Sequence, residues 1–323
     1  MRRPLVVGAT ALTAAACGSS SLPPAGRHIV FTHFTRGEPD AVWIADADGR
    51  HAHKLVHPGA FPLVSRDARL IAYTRNQNRD LWVVRSDSRG AKRLARGTTP
   101  LGWLPANRVL ALKRGALVAV DARTGRTAVL DAGAHAGTAG IGGWDVSPNG
   151  RSVVYARPTG SGHDLYVVDL ATKRVGRLTT DGRSTHPVWG TWIAFRRSKS
   201  SFSSGIWLVR ASGRGLRPFA ARPQRRFTRY GYYGYEPFAW LVPGKRLLIG
   251  LVNEWGDEAA ILDADGRVQR LRYYVDGVSR DRRWFVGMQG GAEVPFDIMI
   301  VRIRDRRARV VAHGDYCCPS WNR

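Results

Sequence analysis

Hydrophobic residues in this chain occur as many short runs rich in Val, Ile, Leu and aromatic residues, separated by turn-forming residues. No helical period is sustained along the chain. This pattern is typical of a protein built from many short β-strands.

Two kinds of run recur as a pair. IVFTHF from Ile29 and VVYAR from Val153 represent the first kind, and VWIAD and LYVVD represent the second. The second kind occurs in seven copies at a mean spacing of about 43 residues, the length of one four-stranded propeller blade. Turns such as DADGR follow it, where Asp and Gly supply hairpin geometry. The sequence predicts an all-β, seven-bladed propeller of four-stranded antiparallel blades, or six blades if a weak copy such as the third fails to form.

The fourth copy contains the most regular version of the repeat. It reads GWDVSPNGRSVVYA and continues as DLYVVDLATKRVGRLTTDGRSTHPVW. This repeat resembles that of TolB-like, WD40-like propellers, whose usual form has a Pro-x-Trp-Ser-Pro-Asp-Gly opening. The resemblance covers about residues 28–323 and implies a single propeller domain. It is more informative about fold than about function.

The two ends of the repeat region complement each other. The first copy begins at His28 without an opening, whereas the last residues, YCCPSWNR, form an opening with nothing after it. We therefore expect the C-terminal strand to become the innermost strand of the first blade. Such closure would remove the exposed sheet edges between the first and last blades.

The N-terminal segment has the layout of an export signal. Arg2 and Arg3 precede the apolar stretch 5–16, and Cys17 follows it. This layout resembles a bacterial lipoprotein leader, which implies lipid attachment at Cys17, a flexible tether over residues 18–27 and an extracytoplasmic, membrane-anchored protein. Ala14 and Ala16 also fit ordinary signal cleavage, which would release a secreted protein.

Basic residues outnumber acidic residues two to one, with 50 Lys and Arg against 25 Asp and Glu, and the sequence pI is about 11.2. One interpretation is a solvated Arg-rich surface, and the other is attraction to polyanions such as anionic lipids or acidic envelope polymers. Outside the cytoplasm genomic DNA is not the expected ligand. We expect a monomer whose partner is an envelope protein or an acidic or glycan polymer.

The longest loop between two blades spans residues 222–237 and interleaves Arg with Tyr. Aromatic rings stack on sugars or bases, and interleaved Arg supplies positive charge. The alternative is that these aromatic side chains pack against the ring. The candidate ligand-binding residues in this loop are Arg225, Arg226, Arg229, Tyr230, Tyr232, Tyr233 and Tyr235.

Cys317 and Cys318 are adjacent, and two interpretations remain open for them. In an oxidising compartment they could form a disulfide with each other, and otherwise they would pack as two small apolar thiols. The sequence HAHKLVH could hold a transition metal through His51 and His53, but exposed hairpin histidines are more common, so no metal or cofactor is expected.

Together these features favour a non-catalytic binding or scaffold lipoprotein of the bacterial envelope. One alternative is a glycan or anionic-polymer binder acting through residues 222–237. Another is a propeller lyase or hydrolase, although the sequence lacks the G-x-S-x-G motif of α/β-hydrolases.

Overall fold

The computed structural model describes residues 28–34, 37–75, 77, 79–134, 143–160, 162–200, 203–220, 234–253, 256–291, 294–314 and 316–321. Every helix or strand assigned in these residues is a β-strand. Cys17 and the predicted tether lie outside them.

The strands in chain order are β1 (His28–His33), β2 (Ala41–Asp46), β3 (His53–Val56), β4 (Ala60–Val64), β5 (Leu70–Arg75), β6 (Asp80–Arg85), β7 (Lys92–Arg96), β8 (Thr98–Leu104), β9 (Arg108–Lys113), β10 (Ala116–Asp121), β11 (Thr127–Asp131), β12 (Trp144–Val146), β13 (Ser152–Thr159), β14 (Gly162–Asp169), β15 (Val175–Arg177), β16 (Ser184–Trp189), β17 (Ile193–Ser200), β18 (Ser203–Val209), β19 (Arg217–Ala220), β20 (Gly234–Val242), β21 (Arg246–Asn253), β22 (Gly256–Asp263), β23 (Val268–Val278), β24 (Trp284–Gly291), β25 (Val294–Arg302), β26 (Ala308–Ala312) and β27 (Tyr316–Trp321).

Within the described residues these strands form five four-stranded sheets and one seven-stranded sheet. The larger sheet divides at β23. Residues from Val268 to Tyr274 pair with β22, and residues from Tyr274 to Val278 pair with β24. One long strand is therefore the outer strand of the sixth blade and the inner strand of the seventh. The result is a β-propeller of seven four-stranded antiparallel units, as predicted, and the third copy of the repeat forms its own blade from β8 to β11.

The C-terminal strand closes the ring. β27 pairs antiparallel with β1, and this pairing places Trp321 opposite Ile29 and Cys317 opposite Thr32. The first blade has the order β27-β1-β2-β3, so its inner strand comes from the other end of the chain. The predicted closure is confirmed.

The hydrophobic core lies between neighbouring blades. Second strands such as β5 are buried on both faces, and Ile71, Ala72 and Tyr73 are all fully buried. This explains why the sequence shows continuous apolar runs there, since alternation is expected only for strands with one solvated face. Val30 of the first blade and Ile71 of the second belong to one such cluster.

Two tryptophans of the inner strands connect adjacent blades. The indole Nε1 of Trp103 donates to the carbonyl of Leu63 at 2.8 Å, and that of Trp240 donates to the carbonyl of Val188 at 3.3 Å. Both side chains are buried. Trp103 and Trp240 therefore pack between neighbouring blades and connect them by hydrogen bonds.

The antiparallel order gives the ring two faces. The turns from first to second strand and from third to fourth strand lie on one face, which we call the turn face. The loops from second to third strand and the blade-to-blade connectors lie on the other, the connector face. β1 is the second strand of its blade, so the described chain begins at His28 on the turn face.

Candidate functional site

The inner strands surround a cavity of about 440 Å³ on the axis of the ring. Its volume lies in the range of small-molecule sites, roughly 300–1,000 Å³. All seven inner strands contribute to the wall, through residues that include Phe61, Leu101, Asp145, His186, Glu236, Asp276 and Cys318.

Irregular backbone shapes this wall. Phe61, His186 and Cys318 have positive φ angles of 49°, 50° and 56°, and each directly precedes a proline. Their strands β4, β16 and β27 all shift register at this point against the second strand of the blade. A β-bulge re-aims the side chains around it. The sequence therefore sets the direction of these three side chains through an x-Pro bulge.

A buried carboxylate lies near the connector-face end of the cavity. Glu236, near the start of β20, is only 9% exposed. Its two oxygens contact Nη1 of Arg196 at 3.2 Å and Nε2 of His186 at 3.3 Å. Burial raises the pKa of Glu236 above its ordinary value, and the Arg196 guanidinium opposes that rise. The raised pKa favours the protonated carboxyl group, which can donate a hydrogen bond as well as accept one.

Two further carboxylates, Asp145 and Asp276, line the cavity. Asp145 accepts the backbone N–H groups of Val146 at 2.8 Å and Trp189 at 2.7 Å, which links the fourth blade to the fifth. Arg66 also lines the cavity, toward the turn face, and Asp145 is among the charged groups that act on it. Burial lowers the pKa of Arg66, and the nearby positive charge of Arg280 lowers it further. The wall of the cavity thus carries three carboxyl groups, from three different blades, within a strongly basic protein.

The adjacent cysteines lie beside the cavity. Their sulfur atoms are joined, with an S–S distance of 2.07 Å, and Cys318 is part of the wall. Tyr316 precedes them, and its ring packs edge-on against Phe31 at 5.1 Å and tilted against His33 at 4.7 Å. The disulfide therefore forms an apolar part of the wall, fixed by aromatic packing.

The predicted Tyr and Arg loop is described only at its end. Arg225, Arg226, Arg229, Tyr230, Tyr232 and Tyr233 lie outside the described residues. Tyr235 belongs to β20, is fully buried, and lies in a cluster with Val188 and Leu251. Its assignment as a ligand contact is wrong, because the side chain has no exposed surface and contributes to the core between blades.

The histidines of HAHKLVH contact other groups. Nδ1 of His51 lies 2.7 Å from a carboxylate oxygen of Asp46, and Nδ1 of His53 lies 2.7 Å from the carbonyl of His51. The described part of the chain contains no group of three His, Cys, Asp or Glu side chains arranged for a metal ion.

Sequence reasoning missed the carboxylates of the cavity. Asp145, Glu236 and Asp276 belong to the openings GWDV, EPFAW and YVDGV. The available signal was the recurrence of an acidic residue in three openings, each of which supplies an inner strand. To identify the cavity from this signal, one must also infer that the inner strands of all blades surround a common axis.

Comparisons with known proteins show the fold. No family model matches the chain, and no curated protein matches it in sequence. Among solved structures, TolB from Acinetobacter baumannii superposes with a TM-score of 0.55 at 15% identity, covering 94% of this chain and 68% of that one. The β-propeller domain of the Trilobed protease from Pyrococcus furiosus gives 0.62 at 11% identity, covering 89% and 94%.

Peptidases are also among the similar structures. Tricorn protease superposes with a TM-score of 0.65 at 13% identity, covering 94% of this chain but only 36% of its own. This chain therefore spans about a third of that enzyme. At such identities the similarity shows the β-propeller fold and leaves the activity to be inferred from the site.

None of the described residues forms a helix with the length and apolarity needed to cross a membrane.

Proposed function

We propose that this protein is a non-catalytic binding or scaffold propeller that acts outside the cytoplasm and is held at the membrane by lipid on Cys17. The observation that carries the proposal is the central cavity, whose charged groups are held in place by the protein itself. Glu236 contacts Arg196 and His186, and Asp145 accepts two backbone N–H groups. Such pre-positioned polar groups in a largely apolar wall are typical of recognition sites.

An extracytoplasmic location is supported by the disulfide between Cys317 and Cys318. Disulfides persist in oxidising compartments and are rare in the cytosol. The basic and apolar leader that ends at Cys17 supports the same location. The proposal joins these two features, which lie at opposite ends of the chain.

The proposed ligand is an envelope protein, or an acidic or glycan polymer, that contacts the connector face. The loop 222–237 enters β20 at Gly234, two residues before Glu236 of the cavity. Gly234 has a φ of 155°, and a Cβ there would lie 2.1 Å from Oγ of Ser204. Because Gly234 lies two residues before the cavity residue Glu236, we propose that Tyr230, Tyr232, Tyr233 and the arginines of the preceding segment add to this binding surface.

The test is a crosslinking pull-down from intact cells that identifies retained proteins and carbohydrates. Phe61→Ala removes a cavity-wall ring that is 40% exposed, and Val129→Ala trims a side chain of the outer strand β11 that is 49% exposed and outside the cavity wall. We expect Phe61→Ala to lose a partner that Val129→Ala retains. Equal retention by both variants would contradict a role for the cavity.

A Tyr230, Tyr232 and Tyr233 triple Ala variant tests the loop in the same assay, and loss of glycan alone would identify a polymer binder.

A lyase or hydrolase is the second candidate, because of one observation. Glu236 has a raised pKa and lies beside His186 in a cavity, which is an arrangement that general acid–base catalysis uses. If the site is catalytic, turnover of an envelope substrate is abolished by Glu236→Gln while binding persists. If it only binds, no substrate of the retained class is consumed.

A further inference from the structure

Positive charge is concentrated on the turn face. The thirteen turns of this face contain 23 Lys and Arg residues against 10 Asp residues and no Glu. They comprise residues 46–52, 65–69, 85–91, 105–108, 121–126, 147–151, 169–174, 190–192, 210–216, 243–246, 263–267, 279–283 and 302–307.

The described loops of the connector face differ sharply. Their loop residues include three arginines, Arg79, Arg114 and Arg183, against the three acidic residues Glu38, Asp40 and Asp181. Adding the charged strand residues that border these loops, as the turn-face ranges do at several turns, gives seven Lys and Arg against five Asp and Glu. In the described part of the chain the excess charge therefore lies on one side of the ring. Among the described residues, the charge is therefore not spread evenly over the two faces, as a general bias toward Arg would spread it.

Most of the carboxylates on the turn face stabilise their own turns. Oδ1 of Asp121 accepts the N–H of Thr124 at 2.6 Å, and Asp169 does the same with Thr172 at 2.7 Å. These bonds lower the pKa of both carboxyl groups, so they remain ionised and are counted in full above. Many of the arginines, in contrast, project from the turns as exposed side chains.

Two exposed apolar side chains accompany the charge. Leu216 and Val242, in adjacent blades, are 46% and 43% exposed on the turn face. Basic side chains beside exposed aliphatic ones suit the boundary between lipid headgroups and acyl chains.

The described chain also begins on this face. His28 pairs with Asp46, and its Nδ1 lies 3.5 Å from that carboxylate, immediately before the first turn of the face. The ten residues 18–27 cannot reach farther than about 35 Å even when fully extended. A lipid on Cys17 would therefore hold the turn face toward the membrane.

We propose that the turn face is a membrane-docking surface that binds anionic lipid headgroups. Each Lys or Arg near an anionic bilayer adds to the attraction, which acts within a Debye length of roughly 8–10 Å. The orientation that this imposes turns the connector face and the mouth of the cavity away from the bilayer. The lipid anchor belongs to the function proposed above, whereas the charge distribution does not depend on it.

Vesicle sedimentation of the full-length chain tests the proposal. Vesicles of phosphatidylcholine alone are compared with vesicles that also contain phosphatidylglycerol, at low and high salt. One variant replaces four exposed arginines of the turn face by Gln, and the other replaces four exposed arginines at the connector-face side. The turn-face set is Arg123, Arg174, Arg214 and Arg267, and the control set is Arg79, Arg96, Arg114 and Arg183.

Both variants change the net charge equally, so they separate position from total charge. We expect phosphatidylglycerol to increase partitioning, salt to reverse the increase, and the turn-face variant to lower partitioning about tenfold or more. The control variant should lower it less than about threefold. Equal losses in both variants, or no preference for phosphatidylglycerol, would overturn the proposal.

Two further outcomes are distinguishable. Retention on immobilised polyphosphate that the turn-face variant loses, with vesicle binding unchanged, would replace the lipid surface by a soluble polyanion. Cys17→Ser separates the anchor from the charge, because loss of an anchor weakens binding to both kinds of vesicle. A failure of the docking surface weakens binding only to the anionic vesicles.

Discussion

Trp321→Ala tests whether the C-terminal strand closes the ring or only covers its edge. Trp321 is 3% exposed and packs in the cluster between the last and first blades, with Ile29 and Val286 among its members. Truncating it removes contacts on both sides of the closure. We expect the whole propeller to lose stability.

The expected size follows from the buried surface. A buried Trp covers up to about 250 Å² of surface, which at roughly 25 cal/mol per Å² gives an upper limit near 6 kcal/mol. Partial burial in the unfolded chain and the remaining Ala methyl reduce this, so a loss of about 3–5 kcal/mol is expected. Trp103→Ala, inside the ring, should cost about 1 kcal/mol more, because it also leaves the carbonyl of Leu63 without the indole N–H.

Urea unfolding followed by far-UV circular dichroism measures both variants without depending on the fluorescence of the removed side chain. The slope with denaturant should stay unchanged, so that the shift in midpoint reports stability. Phe34→Ala, at an exposed position, should stay within about 0.5 kcal/mol of wild type. If Trp321→Ala costs less than about 1 kcal/mol while Trp103→Ala costs several, the closure does not contribute as argued.

Two further predictions concern the blade interface and the cavity. Gly102→Ala should lower the melting temperature, because its methyl group would lie 2.2 Å from the Trp144 ring, and overpacking of this kind costs about 1–3 kcal/mol. Gly176→Ala is the control: no heavy atom lies within 4 Å of its added methyl group, so its melting temperature should stay nearly unchanged. The pKa of Glu236 is raised in the folded state above the ordinary 4.5 that it has in the unfolded chain. The folded state therefore binds the proton more tightly, and the contribution of Glu236 to stability falls as the pH rises above 4.5. Urea unfolding at several pH values should show Glu236→Gln gaining stability relative to wild type over that range, and parallel profiles would contradict the buried-carboxyl argument.

The repeat in the sequence predicts most of the architecture. Each copy provides a local pattern of apolar runs and Asp–Gly turns, and such local patterns determine where strands and hairpins form. Ring closure was also predictable, because a missing opening at His28 and an extra opening at the C-terminus can be matched by inspection. The fusion of two blades through β23 was not predictable. The outer strand of the sixth blade continues into the inner strand of the seventh, and the sequence carries no signal that distinguishes this continuation from a connector.

The candidate site was predicted less well. Tyr235 shares the aromatic and basic composition of its neighbours in the loop, yet its place in β20 buries it completely. Composition describes a segment as a whole, whereas burial depends on which face of a strand each residue occupies. The carboxylates of the cavity were missed for the related reason that they lie far apart in the chain.

By itself, the sequence of this protein determined the strands, the turns and the joining of the two ends, because these depend on contacts between near neighbours and on one matched pair of termini. It left six or seven blades open, and the structure forms the third copy as its own blade. Only the tertiary structure brought Asp145, Glu236 and Asp276 to a common axis and separated a basic turn face from a connector face whose described loops are balanced in charge. Circular closure converts positions about 40 residues apart in sequence into neighbours around a ring. The charge and chemistry of a face are sums over all seven blades, and no single repeat contains them.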